Sequence, residues 1–361
     1  MYADSVVMVC CARFFAGFSI GMIYLNVMPI YLCEIASDKI RGVVGLIYII
    51  LVKIGVLYAY TVGPLVPFTQ MPWFCLVPVI LFVVLFMWMP ESPHYLMGKQ
   101  DVKGAIKCLS RLGGQTDIND KLKLIVESIN ISKQNNASVK DIFKSRANKK
   151  SFIIALVLSV SQLACGAQPV VSYSVTVFSQ IDNSLLSPSQ TNIIFGFILL
   201  LAAIVATFFI DRFGRRPLLL CSAVILTVSN IIIAIYFQLK HHNVDISNLA
   251  WLPTVTLMVY IMGYGTGLAT VPFIIAGEIF PKNIKGAVVG VIAFLSSALS
   301  IGFLKGFQFV SDSYGYNYSF WIFSFFSFIL VPFIWFVVPE TKGKSLARIL
   351  EELNAKNKRK I

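Results

Sequence analysis

The chain has 361 residues, 57% of them apolar and only 13% charged, with a mean hydropathy of +0.78. Soluble proteins average roughly 45–50% apolar and about 25% charged residues, so the composition argues against a water-soluble core and for a polytopic all-α membrane protein. The formal net charge of +13 is accounted for by basic segments on one side of a lipid bilayer and asks for no nucleic-acid partner.

Runs of about 20 largely apolar residues suffice to cross a ~30 Å hydrocarbon layer as helix. In chain order they predict nine spans, near 6–28, 43–63, 72–89, 152–178, 190–210, 217–239, 251–276, 287–310 and 318–338. The connecting segments sort by charge. Segment 94–150 carries twelve Lys and Arg residues, the turn after 210 carries Arg212, Arg215 and Arg216, loop 278–286 carries Lys282 and Lys285, and the tail after 339 carries seven. Basic flanks mark the cytoplasmic side. Loops 64–71, 179–189, 240–250 and 311–317 contain Lys240 and two histidines, His241 and His242, and are expected outside. The amino terminus of the chain is then outside and the carboxy terminus cytoplasmic. No basic leader or cleavage site precedes the first run, so it is not read as a signal peptide.

Several spans carry chemistry that lipid does not require. The second has Lys53 one helical turn from Ile49, and a lysine at mid-membrane suggests a wet cavity or an acidic partner. Lys305, closer to a span end, raises the same question more weakly. In the fourth, Gln162, Gln168, Ser172 and Tyr173 surround Gly166 and Pro169, a set able to hydrogen-bond a hydroxylated ligand or a neighbouring helix. The seventh carries Gly263, Gly265, Gly267 and Pro272, which weaken a helix and predict a bending point. The seven cysteines show no metal-ligand spacing, and free thiols are expected. No cluster of His, Asp or Glu lies within a span, so neither an enzyme nor a cofactor or metal site is expected.

Glu34-Ile35-Ala36-Ser37-Asp38-Lys39-Ile40-Arg41-Gly42 is echoed 244 residues later by Glu278-Ile279-Phe280-Pro281-Lys282-Asn283-Ile284-Lys285-Gly286. Each copy precedes two apolar runs, which end on Pro90-Glu91-Ser92 and on Pro339-Glu340-Thr341. The chain is an internal duplication. Four spans precede the second copy within its half and one precedes the first. Equivalent halves predict a twelve-span parent, with three spans absent from the amino-terminal side.

These motifs, together with Arg13-Phe14-Phe15-Ala16-Gly17, Pro29-x-Tyr31-x-x-Glu34, Asp211-Arg212-Phe213-Gly214-Arg215-Arg216, Pro93-His94-Tyr95-Leu96 and Lys342-Gly343, resemble the sugar porter family of the major facilitator superfamily, most nearly its insect facilitated trehalose transporters. The resemblance covers residues 5 to 350. It implies two bundles with a sugar substrate held between them near the midplane. The expected organisation is an incomplete three-helix bundle at 1–93, a cytoplasmic helical linker at 94–150, a six-helix bundle at 151–340 and a basic cytoplasmic tail at 341–361. Ala105-Ile106-Leu109 and Leu122-Leu124-Ile125-Ile129 have helix-like spacing in the linker.

The resemblance also assigns roles. Gln162, Gln168 and Tyr173 match sugar-binding positions, and Ser172 lies beside them. Leu163 stands where the family commonly has a second glutamine, Phe273 where it has tryptophan, Ser296 and Ser297 where it often has Asn-Trp, and Ile49 where it has a glutamine. Lys53, on the face of Ile49, is expected to shift selectivity toward a more polar or anionic ligand. Glu34, Arg41, Glu91, Asp211, Arg212, Arg215, Arg216, Glu278, Lys285 and Glu340 gather at the cytoplasmic helix ends and are expected to form a gate whose pairs break as the cavity opens. Lys285 and His94 replace arginines, and lysine lacks the bidentate fork. The expected function is facilitated diffusion of trehalose, glucose or a related sugar across the plasma membrane by alternating access. The alternative is a divergent or truncated sugar-porter-like protein that does not transport: a sensor, a partner or the fragment of a gene. The sugar, proton coupling and oligomeric state stay open.

Overall fold

The apolar runs fold as helix because a bilayer offers no partner for backbone N–H and C=O groups, and capping residues and turns set each boundary. The computed structural model describes residues 5–23, 27–36, 40–67, 69–112, 118, 122–123, 125–127, 146–181, 186–280, 282–344, 348–349 and 351–352, and no strand occurs among them. The chain divides into two compact units, Met1–Asn136 and Ala137–Ile361.

The first unit contains α1 (Val6–Met22), α2 (Met28–Ile35), α3 (Arg41–Leu65), α4 (Met71–Phe86), α5 (Pro93–Gly98) and α6 (Val102–Arg111). Ser5, Ser92 and Asp101 cap α1, α5 and α6 by accepting from the backbone N–H three residues on, which satisfies donors a helix leaves orphaned. Helix α2 packs on α3 and α5, α3 on α4, and α5 on α6. The packing is shallow: α1 and α4 have no buried residue, nor do the described residues of the Val43–Leu65 stretch of α3. Helices α5 and α6 fall inside the predicted linker and belong to this unit, where Cys108 Sγ donates to the Glu91 carbonyl at 3.0 Å. Leu124 and Ile129 of the second predicted linker helix lie outside the described residues.

The second unit contains α7 (Arg146–Ala164), α8 (Ala167–Ser172), α9 (Ser174–Ser179), α10 (Pro188–Phe213), α11 (Arg215–His241), α12 (Leu252–Thr266), α13 (Val271–Ile279), α14 (Lys282–Ser313) and α15 (Tyr316–Phe336), with a short 3-10 turn at Ser247–Leu249. Helix α11 is central, packed on α15 and α12, while α7 packs on α13, α14 and α15. Leu219, Leu226, Ile233, Tyr260, Ile261 and Phe320 are fully buried among these helices. Two tryptophans tie α11 to α15 near its two ends. Trp321 Nε1 donates to Gln238 Oε1 at 2.9 Å, and the Arg216 guanidinium donates to the Trp335 carbonyl with its carbon 5.4 Å from the Trp335 ring centre.

Among the described residues six helices are long and apolar enough to cross a membrane: Val43–Leu65, Pro188–Ile210, Arg215–His241, Leu252–Ile279, Gly286–Ser313 and Tyr316–Phe336. Val6–Met22 and Met71–Phe86 are apolar but shorter. The 152–178 run is not one helix but α7, α8 and α9 in series. The glycine-rich seventh run does break, between α12 and α13, but its glycines have another use. A Cβ at Gly263, Gly265 or Gly267 would sit 2.4–2.5 Å from Ile225, Ala202 or Ser222, so glycine lets α12 approach α10 and α11.

Candidate functional site

The break between α7 and α8 follows from two residues. Gly166 adopts φ +88°, a left-handed conformation that costs other residues energy, and a Cβ there would lie 2.3 Å from the Phe323 ring. Pro169 has no N–H, so the Cys165 carbonyl, which residue 169 would bond in a continuous helix, needs another donor. It has two: Tyr260 Oη donates at 2.9 Å and Asn230 Nδ2 at 3.2 Å. Asn230 Nδ2 also lies 3.3 Å from Ser327 Oγ, which donates to the Phe323 carbonyl at 2.7 Å. A second break, at Tyr173, separates α8 from α9.

Around these breaks stand most of the predicted ligand groups of this unit. Gln162 Nε2 and Ser296 Oγ, on the packed helices α7 and α14, are buried without a hydrogen-bond partner among the described residues. Gln168, Ser172 and Ser297 are exposed and Tyr173 is half-buried. Leu163, by contrast, is buried. Tyr173 Oη lies 3.4 Å from Gln308 Oε1, and Lys305 Nζ lies 3.3 Å from the same oxygen. Lys305 is thus turned toward Gln308 of its own helix, which also meets Tyr173 at the α8–α9 break. Phe273, on α13, is 60% exposed, free to present a ring face. Lys53 and Ile49 lie in the first unit, both half-buried on α3. An apolar recess of about 300 Å³ lined by Gly302, Phe303, Gly306, Phe307 and Phe323 has one polar side chain in its wall, Ser319, already bonded to Ser311 at 2.9 Å, and so offers little to sugar hydroxyls.

The charged corner of the second unit is built on Glu340. Its carboxylate accepts from the N–H groups of Arg215 (3.1 Å), Arg216 (3.0 Å), Thr341 (3.0 Å) and Lys342 (2.9 Å). The first two are the start of α11, where the helix dipole favours an anion. Burial alone would raise this carboxyl, but the four donors outweigh it and hold it below its ordinary value. Gly214, at φ +91°, makes the approach possible, since a Cβ there would meet Glu340 Oε2 at 2.9 Å. Glu278 pairs with Arg215 at 3.0 Å, and Lys342 Nζ donates to the Arg212 carbonyl at 2.9 Å. The side chains of Asp211, Lys285 and Arg41 lie outside the described residues.

In the first unit Glu34 accepts from Ser92 Oγ, Tyr31 Oη donates to the Pro90 carbonyl at 2.7 Å, and exposed Glu91 accepts from Ser92 N at 3.3 Å. Among the described residues Glu278 pairs with a side chain, Arg215, while Glu34, Glu91 and Glu340 accept from hydroxyl or backbone N–H groups. Sequence reasoning passed over Asn230, Tyr260, Gln308 and Ser92. The only signal for the first three was a polar side chain inside an apolar run.

A family model described as "Sugar (and other) transporter" matches residues 1–353. The facilitated trehalose transporter Tret1 of Polypedilum vanderplanki is 31% identical over 361 residues, covering 99% of this chain and 71% of that protein. Tret1 of Drosophila virilis is 30% identical over 359 residues, covering 99% of this chain but 39% of that protein. Several of these curated relatives are therefore more than twice as long as the stretch they share with this chain. Among solved structures, the inward open conformation of the xylose transporter XylE from E. coli superposes with a TM-score of 0.71 at 24% identity, over 91% of this chain and 68% of that one. The proton:xylose symporter XylE bound to 6-bromo-6-deoxy-D-glucose gives 0.66 at 22% identity, over 91% and 70%.

Proposed function

This chain belongs to the sugar transporter family of the major facilitator superfamily, and from that premise we propose that it carries a sugar across a membrane by alternating access. The observation that carries the reading is the discontinuous helix α7–α9, which places Gln162, Gln168, Ser172 and Tyr173 around two backbone breaks. Amide and phenol groups of this kind can exchange hydrogen bonds with sugar hydroxyls, and a broken helix can aim them in directions that one straight helix cannot. Ser296, Ser297 and Phe273 extend the set, the ring of Phe273 offering an apolar face to a pyranose. Movement is facilitated diffusion, trehalose, glucose or a related sugar is the substrate, and the protein is a carrier with no bond-making step.

The plasma membrane is the proposed location, with the carboxy terminus cytoplasmic as the basic loops require. The cytoplasmic charges serve as a gate. Glu278–Arg215, Arg216 and the Glu340 corner hold the ends of one bundle's helices, while Glu34, Arg41, Glu91, Asp211, Arg212 and Lys285 exchange partners as the cavity opens. Partly hydrated pairs suit this task, because each is worth about 1 kcal/mol or less and two access states must stay within a few kcal/mol of each other.

The test is uptake of radiolabelled trehalose and glucose by cells that lack their own sugar carriers and express this chain. Saturable uptake, blocked by unlabelled sugar and unaffected by a protonophore, is the expected result. Uptake no greater than in empty cells, with the protein demonstrably in the membrane, would overturn the proposal.

A further inference from the structure

We propose that Asn230 and Tyr260 are positioning residues for the substrate groups of the broken helix, acting through the Cys165 carbonyl. This rests on the sugar-carrier reading and adds to it residues on neighbouring helices that set the geometry of the site.

Pro169 removes the donor that the Cys165 carbonyl would use in a continuous helix. A buried carbonyl left in that state destabilises the fold, so the break can persist only where other helices supply donors. Tyr260 on α12 and Asn230 on α11 do so at 2.9 and 3.2 Å. Both residues are completely buried. Ser327 on α15 lies 3.3 Å from the same Asn230 nitrogen, and Phe323 fills the space beside Gly166. Three helices thus converge on one backbone oxygen and its neighbour.

Gln162 precedes that oxygen by three residues and Gln168 follows it by three. The direction in which one glutamine faces relative to the other depends on the torsion angles between them, chiefly at Cys165 and Gly166. Glycine leaves those angles permissive, and the two side-chain donors remove the freedom. Buried packing alone would make Asn230 and Tyr260 matter for stability. Fixing the break makes them matter for how tightly and how selectively a ligand is held.

Tyr260→Phe deletes one oxygen and keeps the ring. We expect the KM for sugar uptake to rise roughly 3- to 10-fold while the maximal rate changes less than about twofold. Amide hydrogen exchange of the purified protein should quicken at 166–173 and stay unchanged in α10. Pro169→Ala restores the N–H that a continuous helix would aim at this carbonyl and so lets a straightened segment satisfy the oxygen without Tyr260; Tyr260→Phe combined with Pro169→Ala should therefore raise KM by less than the product of the single effects. Unchanged KM and exchange in Tyr260→Phe would overturn the proposal, as would a lowered melting temperature with KM unchanged or a multiplicative double variant. If the unmodified protein moves no sugar, the carrier reading fails separately. Exchange at 166–173 then decides whether the clamp exists.

Discussion

Glu91 and Glu340 close equivalent corners of the two repeats, yet they are held in different ways. Glu340 is enclosed by four backbone donors at the start of α11 and beyond its own helix; Glu91 is exposed, against the N–H of its own neighbour. The same contrast runs through the helices. Half of the apolar window of Arg215–His241 is buried and half of Leu252–Ile279, against none of the described residues of Val43–Leu65. What differs is not the motif but the turn that receives it. Asp211–Arg216, with its glycine at positive φ, provides an anion site that no described residue of the first unit reproduces.

The largest test of this contrast exchanges one glycine in each unit. Gly166→Ala meets both a left-handed backbone and the Phe323 ring, and should cost about 2–4 kcal/mol, read as lost folded yield and melting temperature. Gly55→Ala on α3, where a Cβ meets nothing within 4 Å, should be neutral or stabilise by up to about 1 kcal/mol. Equal effects would break the comparison. The corner acids come next. Glu340→Gln should cost about 1–2 kcal/mol by loss of charged acceptors, and Glu91→Gln less than about 0.5.

The pH dependence has the same origin and a fixed sign. Because the folded-state Glu340 carboxyl is held below its unfolded value, its contribution is complete above the unfolded carboxylate range and is lost as pH falls through the lowered value. Melting temperature measured from neutral to acidic pH should therefore fall less steeply in Glu340→Gln than in the parent. The smallest effect on stability is expected in the first unit. Lys53→Gln should leave melting within about 0.5 kcal/mol while changing which sugars compete for uptake. An unchanged competition profile would remove Lys53 from the selectivity determinants.

Much of the fold was readable because lipid imposes a simple rule, one apolar run for each crossing, and because duplicated corners mark equivalent places. The breaks were harder. Gly166 and Pro169 were noticed only as the centre of a polar set, and the length of the 152–178 run hid three short helices within it. Gly263, Gly265 and Gly267 read as flexibility, although Ile225, Ala202 and Ser222 need them for contact. Asn230 and Tyr260 could not be assigned from sequence. They lie 65 and 95 residues from their acceptor, and a polar side chain in an apolar run says nothing of the face it turns inward. Gln308 was missed for the same reason, although Lys305, three residues before it, had drawn notice.

The two tryptophan ties between α11 and α15 restrict how the second unit can move. Sliding one helix past the other by a turn, about 5.4 Å, would break Trp321–Gln238 and Arg216–Trp335 together. The pair can tilt as a single strut but cannot telescope. Shape change within the unit is thereby left to the breaks away from the Cys165 carbonyl and its two donors, at Tyr173 between α8 and α9 and between α12 and α13, pivoting against a beam of fixed length.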